Sequence, residues 1–192
     1  MNTFETDAAF VAHTYARFPL EIAGGKGSVL TGSDGKSYID LGSGIAVNSF
    51  GMADEKWIGA VTAQLHAFQH TSNLFYTQPC AQLAQKLCQR TGMKKVFFSN
   101  SGAESNETAI KAAREYASLT KGPDCYTIVS LKNSFHGRTL ATLAATGQDV
   151  FHRDFQPLPA GFLYADVGDR AGLEPGQFKQ IVDEPRQPHR LP

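Results

Sequence analysis

The sequence predicts an α/β fold, with a mostly parallel sheet between helices, preceded by a small N-terminal α+β segment. Three observations carry this expectation. From Lys95 onward, strand-type apolar runs alternate with alanine-rich helical stretches, in the order "KVFFSN", "SGAESNETAIKAAREYAS", "CYTIVSL", "TLATLAATG". Strands and helices alternating at such short range build parallel sheets. The first fifty residues read differently, as short extended pieces joined by tight turns. The composition, 42% hydrophobic and 19% charged, is that of a globular chain with a core to bury.

The elements follow in order. "GSVLTGSDGKSYIDL" (Gly27–Leu41) alternates apolar positions around Asp34-Gly35, the pattern of a β-hairpin. Trp57, Ile58, Val61 and Leu65 recur at helical spacing and predict a helix from Asp54 to Phe68. A second helix runs from Pro79 to about Thr91, with Leu83 and Leu87 on one face and Gly92 as its stop. "KVFF" (Lys95–Phe98) reads as a strand. The helix after it starts at Ser101, whose spacing to Glu104 is that of a capping box. Ile110, Ala113 and Ala117 make its inward stripe. Glu107 with Lys111, and Lys111 with Glu115, make i,i+4 pairs on its outer face. Gly122-Pro123 breaks that helix; "CYTIVSL" (Cys125–Leu131) is the next buried strand and "TLATLAATG" (Thr139–Gly147) the next helix. Six of the nine prolines fall in the last 36 residues, so the end reads as an irregular extension. The expected division is 1–51, 52–170 and a proline-rich tail, 171–192.

Charge and composition exclude several partners. Lysine plus arginine equals aspartate plus glutamate at 18 each, so no global charge points to nucleic acid or an anionic membrane. No apolar run approaches the roughly 20 residues that span a bilayer. The first ten residues hold two acidic side chains and no basic one, unlike a secretory signal or transit peptide. Cys80, Cys88 and Cys125 form no CxxC pair and suit a reducing, cytoplasmic location.

In a parallel sheet, ligands bind at the loops that leave the carboxyl ends of the strands. Two such loops are readable, "SNSGAE" and "KNSFHGRT", and parallel strands bring them to one edge. In the first, Gly102 lets the backbone come close, the amides of Gly102 and Ala103 open a helix, and Ser101 adds a hydroxyl. That is either an anion cradle or a plain capped helix start. In the second, Arg138 offers a planar fork for a carboxylate, Phe135 a flat ring face, and Gly137 tight backbone geometry between them. This loop is equally readable as a surface turn. His136 is a positioning residue, since no acidic partner is assignable to it. His66 and His70 stand at i,i+4 but without the glutamate or third ligand of a zinc site, and a solvated helix face accounts for them. Ser43 lies outside any GxSxG elbow. No metal site is expected.

Four segments in order, "YIDLGSGIAVNSFG", "HTSNLFYTQP", "VFFSNSGAESNETAIKAAR" and "NSFHGRTLATLAATG", resemble class III pyridoxal-phosphate-dependent aminotransferases. The likeness is to the acetylornithine group with its ornithine and succinylornithine relatives, over about Tyr15 to Asp166. It implies a fold-type-I, three-layer α/β/α domain and pyridoxal 5'-phosphate as cofactor. Ser101, Gly102 and Ala103 would then hold the cofactor phosphate, Phe135 and His136 would sit at its ring, and Arg138 would receive the substrate α-carboxylate. The implied reaction passes an amino group from acetylornithine to 2-oxoglutarate, in arginine biosynthesis, by a cytoplasmic homodimer. The resemblance further implies a Schiff-base lysine and an aspartate for the pyridine nitrogen, near segments like "EPIQGEGG" and "DEVQTG". Neither segment is in this sequence, none of its ten lysines stands in the family's context, and the likeness fades after about Gly172. The expectation is an N-terminal portion, inactive alone. The alternatives are a non-catalytic phosphate- or cofactor-binding fragment, or an ornithine or succinylornithine aminotransferase.

Overall fold

The computed structural model describes residues 1–168; the expected tail at 171–192 lies outside them. The chain divides into two compact units, Met1–Ala81 and the part from Gln82 onward.

The first unit opens with a helix that the sequence reading missed, α1 (Thr3–Phe10). Its apolar residues form no stripe, so periodicity gives no signal there. A reciprocal cap starts it: the Glu5 amide donates to Asn2 Oδ1 and the Asn2 amide to Glu5 Oε2, both at 2.9 Å. Then β1 (Ile22–Lys26), β2 (Val29–Gly32) and β3 (Ser37–Ile39) form an antiparallel sheet in that order. The expected hairpin joins β2 to β3. Gly35 takes the left-handed backbone, φ +78°, that the turn requires. Asp34 accepts from the Lys36 amide at 3.0 Å and from the Tyr38 hydroxyl at 2.8 Å. The Lys36 amide, foremost, holds the Asp34 carboxyl below its ordinary range. Helix α2 (Glu55–Ala67) starts where Asp54 Oδ1 accepts from the Trp57 amide at 2.7 Å. Its apolar side, Trp57, Ile58, Val61 and Leu65, is exposed. So are Leu41, Ile45, Val47 and Phe50, in a stretch where Ser43, Ile45 and Ala46 take positive φ. Helix α3 (Gln78–Thr91) begins in this unit, continues into the second, and ends at Gly92, φ +73°, as its sequence predicts.

The second unit holds α4 (Gly102–Lys121), β4 (Ile128–Leu131), α5 (Leu140–Ala145) and β5 (Phe162–Ala165). The two strands run parallel, Ile128 opposite Phe162 and Leu131 opposite Ala165, with α5 in the connection. "KVFF" differs from expectation. No strand among the described residues pairs with Lys95–Phe98, and Phe97 and Phe98 are exposed. Strand formers make a strand only where a neighbour takes their N–H and C=O groups, and none stands alongside.

The core of this unit is small and centred on α5. Leu143, Ala144 and Ala145 are buried with Ile110 of α4, and Thr142 and Thr146 are wholly so, at 0% exposure. Of the expected stripe on α4 only Ile110 is buried; Ala113 is exposed and Ala117 half-buried. The buried hydroxyls are satisfied: Thr146 Oγ1 donates to the Thr142 carbonyl at 2.9 Å and accepts from the His136 amide at 3.0 Å. Arg114 ties the strand starts, giving Nε to the Tyr126 carbonyl and a terminal nitrogen to the Ala160 carbonyl, both at 3.0 Å. Its guanidinium also lies 5.1 Å from the Phe162 ring centroid. At the strand ends, Lys132 Nζ meets Asp166 Oδ2 at 2.7 Å. The Tyr164 hydroxyl donates to the Ala144 carbonyl at 2.5 Å, and burial, helped by the Asp149 charge, pushes its pKa up. No helix among the described residues is long and apolar enough to cross a membrane.

Gly147 shows how tightly α5 is tucked against β4. A β-carbon there would lie 2.2 Å from the Leu131 carbonyl oxygen and 2.9 Å from Lys132 Cα. Both neighbours are backbone and cannot swing away. Gly147→Ala is expected to destabilise this unit by about 1–3 kcal/mol, the range for overpacked sites. A fall in the urea midpoint at unchanged slope would show it; an unchanged midpoint would mean that the two segments are not held together.

Candidate functional site

Helix α4 begins at the first of the two loops. Ser101 is its cap, Oγ accepting from the Glu104 amide at 3.2 Å. The other half of the expected capping box is displaced by one residue. Glu104 accepts instead from the Asn100 amide at 2.6 Å and from Asn100 Nδ2 at 3.3 Å. Glu104 therefore does not occupy the Ser101 amide. The Gly102 and Ala103 amides precede the helical ladder and have no acceptor within it. A β-carbon on Gly102 would meet nothing within 4 Å, so space lies open before the helix end.

The second loop starts at Asn133, φ +61°, and runs under that end of α4. Gly137 is buried with φ +135°; a β-carbon on it would come within 2.8 Å of Ala103 Cβ and 2.6 Å of Thr142 Oγ1. This close approach brings the two loops together. His136 is held from both sides, its amide by Thr146 and its carbonyl by Asn106 Nδ2 at 2.8 Å. Ser134 is held likewise: its carbonyl accepts from Gln148 Nε2 at 3.0 Å.

Phe135 is half exposed and meets Phe151 edge-on at 5.8 Å between centroids. The Arg138 guanidinium carbon lies 5.8 Å from the Phe135 centroid and 5.7 Å from that of Phe151. No carboxylate among the described residues pairs with it. Two rings steady the cation while its planar fork stays available to an anion. A groove of about 400 Å³ lies between α4 and β4, lined by Ile110, Ala113, Val129 and Leu131 with Asn106 and His136. His136 thus contributes to an apolar wall.

The structure therefore gathers Ser101, Gly102 and Ala103 on one side and Phe135 to Arg138 on the other. Free amides, a hydroxyl, a ring face and an unpaired guanidinium fit a phosphorylated aromatic compound with a carboxylate ligand beside it.

Comparison with known proteins bears on this geometry. The family model described as Aminotransferase class-III matches residues 10–186. The chain belongs to the class-III aminotransferases. The family match passes Gly172, where the sequence reading placed the end of the likeness, and begins before Tyr15. The acetylornithine aminotransferase of Haemophilus ducreyi is 54% identical over 165 residues, covering 86% of this chain and 42% of that protein. That of Wolinella succinogenes is 47% identical over 180 residues, covering 93% and 44%. The chain thus spans less than half the length of these class-III relatives. Among solved structures, ornithine aminotransferase from Toxoplasma gondii superposes with a TM-score of 0.80 at 27% identity, over 85% of this chain and 39% of that one. A second structure of that enzyme has PLP partly occupying its active site. An omega transaminase from Pseudomonas jessenii, in complex with PMP, gives 0.78 at 29% identity, covering 86% and 39%. These neighbours share the fold-type-I architecture expected for a class-III chain.

Several residues of the assembled site escaped the sequence reading: Asn106, Glu107, Thr139, Thr146 and Phe151. Ala103, Asn106 and Glu107 stand at i, i+3 and i+4, one face of α4, and that spacing was the available signal. The expected Glu107–Lys111 pair is absent among the described ion pairs, because the Glu107 carboxylate accepts from the Thr139 hydroxyl instead. Thr139-x-x-Thr142 is a second missed signal, a reciprocal cap that starts α5.

Gly137→Ala is expected to lower the melting temperature, since both the positive φ and the contacts oppose a side chain. Adding Ala103→Gly should restore only part of the loss, because the Thr142 hydroxyl and the φ remain. Thermal unfolding of the single and double variants checks this. Purely additive effects would mean that the two loops do not touch.

Proposed function

We propose that this chain forms the phosphate- and carboxylate-recognising side of an acetylornithine-type aminotransferase site. The observation that carries the reading is the Gly137–Ala103 approach, which sets an open helix end next to a ring face and an unpaired arginine. Pyridoxal 5'-phosphate fits there: Ser101, Gly102 and Ala103 would hold its phosphate, and Phe135 and His136 its ring. When bound, that cofactor supplies an electron sink for the carbon bearing the amino group.

The chain's own residues do the rest. The Gly102 and Ala103 amides face an anion without needing a side-chain proton, so phosphate binding there is insensitive to protonation of the protein. Phe135 gives a flat, half-exposed surface whose tilt is set by Phe151. Arg138 binds a carboxylate in two-point fashion and so orients an amino-acid substrate or 2-oxoglutarate alike. The rings beside it exclude water from one side of the guanidinium. The covalent lysine is left unassigned: Lys132, next to the loop, is engaged with Asp166.

Acetylornithine is the preferred amino donor, because the relatives of higher identity carry that name while the ornithine and omega-amine enzymes are more distant. The place in arginine biosynthesis follows from that choice. A homodimer is supported by the exposed apolar residues of the first unit. A cytoplasmic location is supported by Cys80, Cys88 and Cys125, all free thiols.

Titration of the purified chain with pyridoxal phosphate, followed by absorbance, tests the reading. Saturable binding is expected. Gly102→Ala keeps the amide but puts a methyl group into the open space before the helix end, and should weaken phosphate binding there. The same change should leave stability intact or slightly raised, since alanine suits a helix better by about 0.5–1 kcal/mol. Absence of saturable binding would sink the site assignment.

A further inference from the structure

We infer that Asn106 and Glu107 are positioning residues that set the distance between the anion-binding end of α4 and the Phe135–Arg138 loop. This role rests on the two-point site proposed above and adds what holds the two points apart. Ala103, Asn106 and Glu107 lie on one face of α4, and each engages the same short loop. Ala103 packs on Gly137, Asn106 Nδ2 donates to the His136 carbonyl at 2.8 Å, and Glu107 accepts from the Thr139 hydroxyl. Arg138 sits between these anchored residues. With residues 136, 137 and 139 all held to one helix, its backbone has little freedom, and only its side-chain torsions remain to be settled.

Polar side chains on a helix face ordinarily turn to water. Here two adjacent ones reach residues 30 and 32 positions away in sequence. The direction of the hydroxyl chain also follows from donor count. A carboxylate only accepts, so the single Thr139 hydroxyl proton goes to Glu107. In the 2.7 Å contact between Thr139 Oγ1 and Thr142 Oγ1, Thr142 must then be the donor. The Thr139 amide returns to Thr142 Oγ1 at 3.1 Å and closes the start of α5. The polar order Thr142 to Thr139 to Glu107 thus binds α5, the loop and α4 into one frame. The opposite side of the loop is held independently by Thr146 through the His136 amide. Loss of Asn106 or of the Thr139 hydroxyl therefore loosens the spacing without detaching the loop.

Inorganic phosphate touches only the helix end, whereas pyridoxal phosphate spans both points, and the comparison separates positioning from mere folding. In the full chain, Asn106→Ala and Thr139→Val should each raise the dissociation constant for pyridoxal phosphate roughly tenfold, as for one lost hydrogen bond. Competition by inorganic phosphate should change by less than about twofold. Thr139→Ser keeps the hydroxyl and should restore wild-type binding; it also serves where the valine variant folds poorly. Amide hydrogen exchange gives a readout without cofactor: the His136 amide, held by Thr146 Oγ1, should exchange faster in Asn106→Ala and Thr139→Val, with α4 unchanged. Equal weakening of both ligands, no weakening, or unaltered exchange would overturn the positioning role. Failure of the wild-type chain to bind pyridoxal phosphate, with faster exchange in the variants, would instead remove the functional reading and leave the clasp standing.

Discussion

The contact on which the second unit depends is the missing β-carbon of Gly137. At φ +135° it lets the backbone of one loop lie against Ala103 in the first turn of α4. Any larger residue would push the helix end and the loop apart, and with them the anion cradle and the ring face. Hydrogen bonds then secure what the glycine permits. Asn106 takes the carbonyl on one side of it, Glu107 the hydroxyl on the other, and Thr146 the amide beneath. A steric allowance comes first and the polar ties follow from it.

Below that contact the packing is unusual in being mostly hydroxyl and methyl. Thr142 and Thr146 are the most deeply buried side chains, and both are satisfied by α5 and the loop. A buried threonine left without a partner would cost about 1–3 kcal/mol; α5 satisfies Thr146 through the Thr142 carbonyl, and the loop adds the His136 and Thr139 amides. Core and site are therefore the same structure. Exposed apolar residues, by contrast, occur along both units; in α2 and α3 the helical periodicity is clear although no residue is buried.

That contrast explains what was legible in the sequence. Local chemistry was readable: the Asp34-Gly35 turn, the Gly92 stop, the Ser101 cap and the α/β alternation all appear where short-range signals place them. α1 was missed because its start rests on one reciprocal cap at Asn2 and Glu5, with no stripe behind it. "KVFF" has the composition of a strand and forms none, since strand propensity does not reveal whether a ladder partner exists. The spacing of Ser101 and Glu104 gave the cap but not the displacement of Glu104 onto Asn100. In the site, Phe135, His136 and Arg138 stood out by residue type. Glu107 was read as half of a surface ion pair, because nothing along α4 reveals a threonine 32 positions away. Tertiary partners, not propensities, decided each miss.

The parallel ribbon of β4 and β5 is fastened at both ends, by Arg114 where the strands begin and by Lys132 with Asp166 where they finish. Two strands alone are ordinarily free to slip along one another, and a slip of a single residue would turn every side chain to the opposite face. Here any slip must break a cation's grip on two carbonyls and an ion pair in the same movement. The ribbon behaves as a rail bolted at each end, and the loop that leaves β4 toward Arg138 inherits a fixed point of departure.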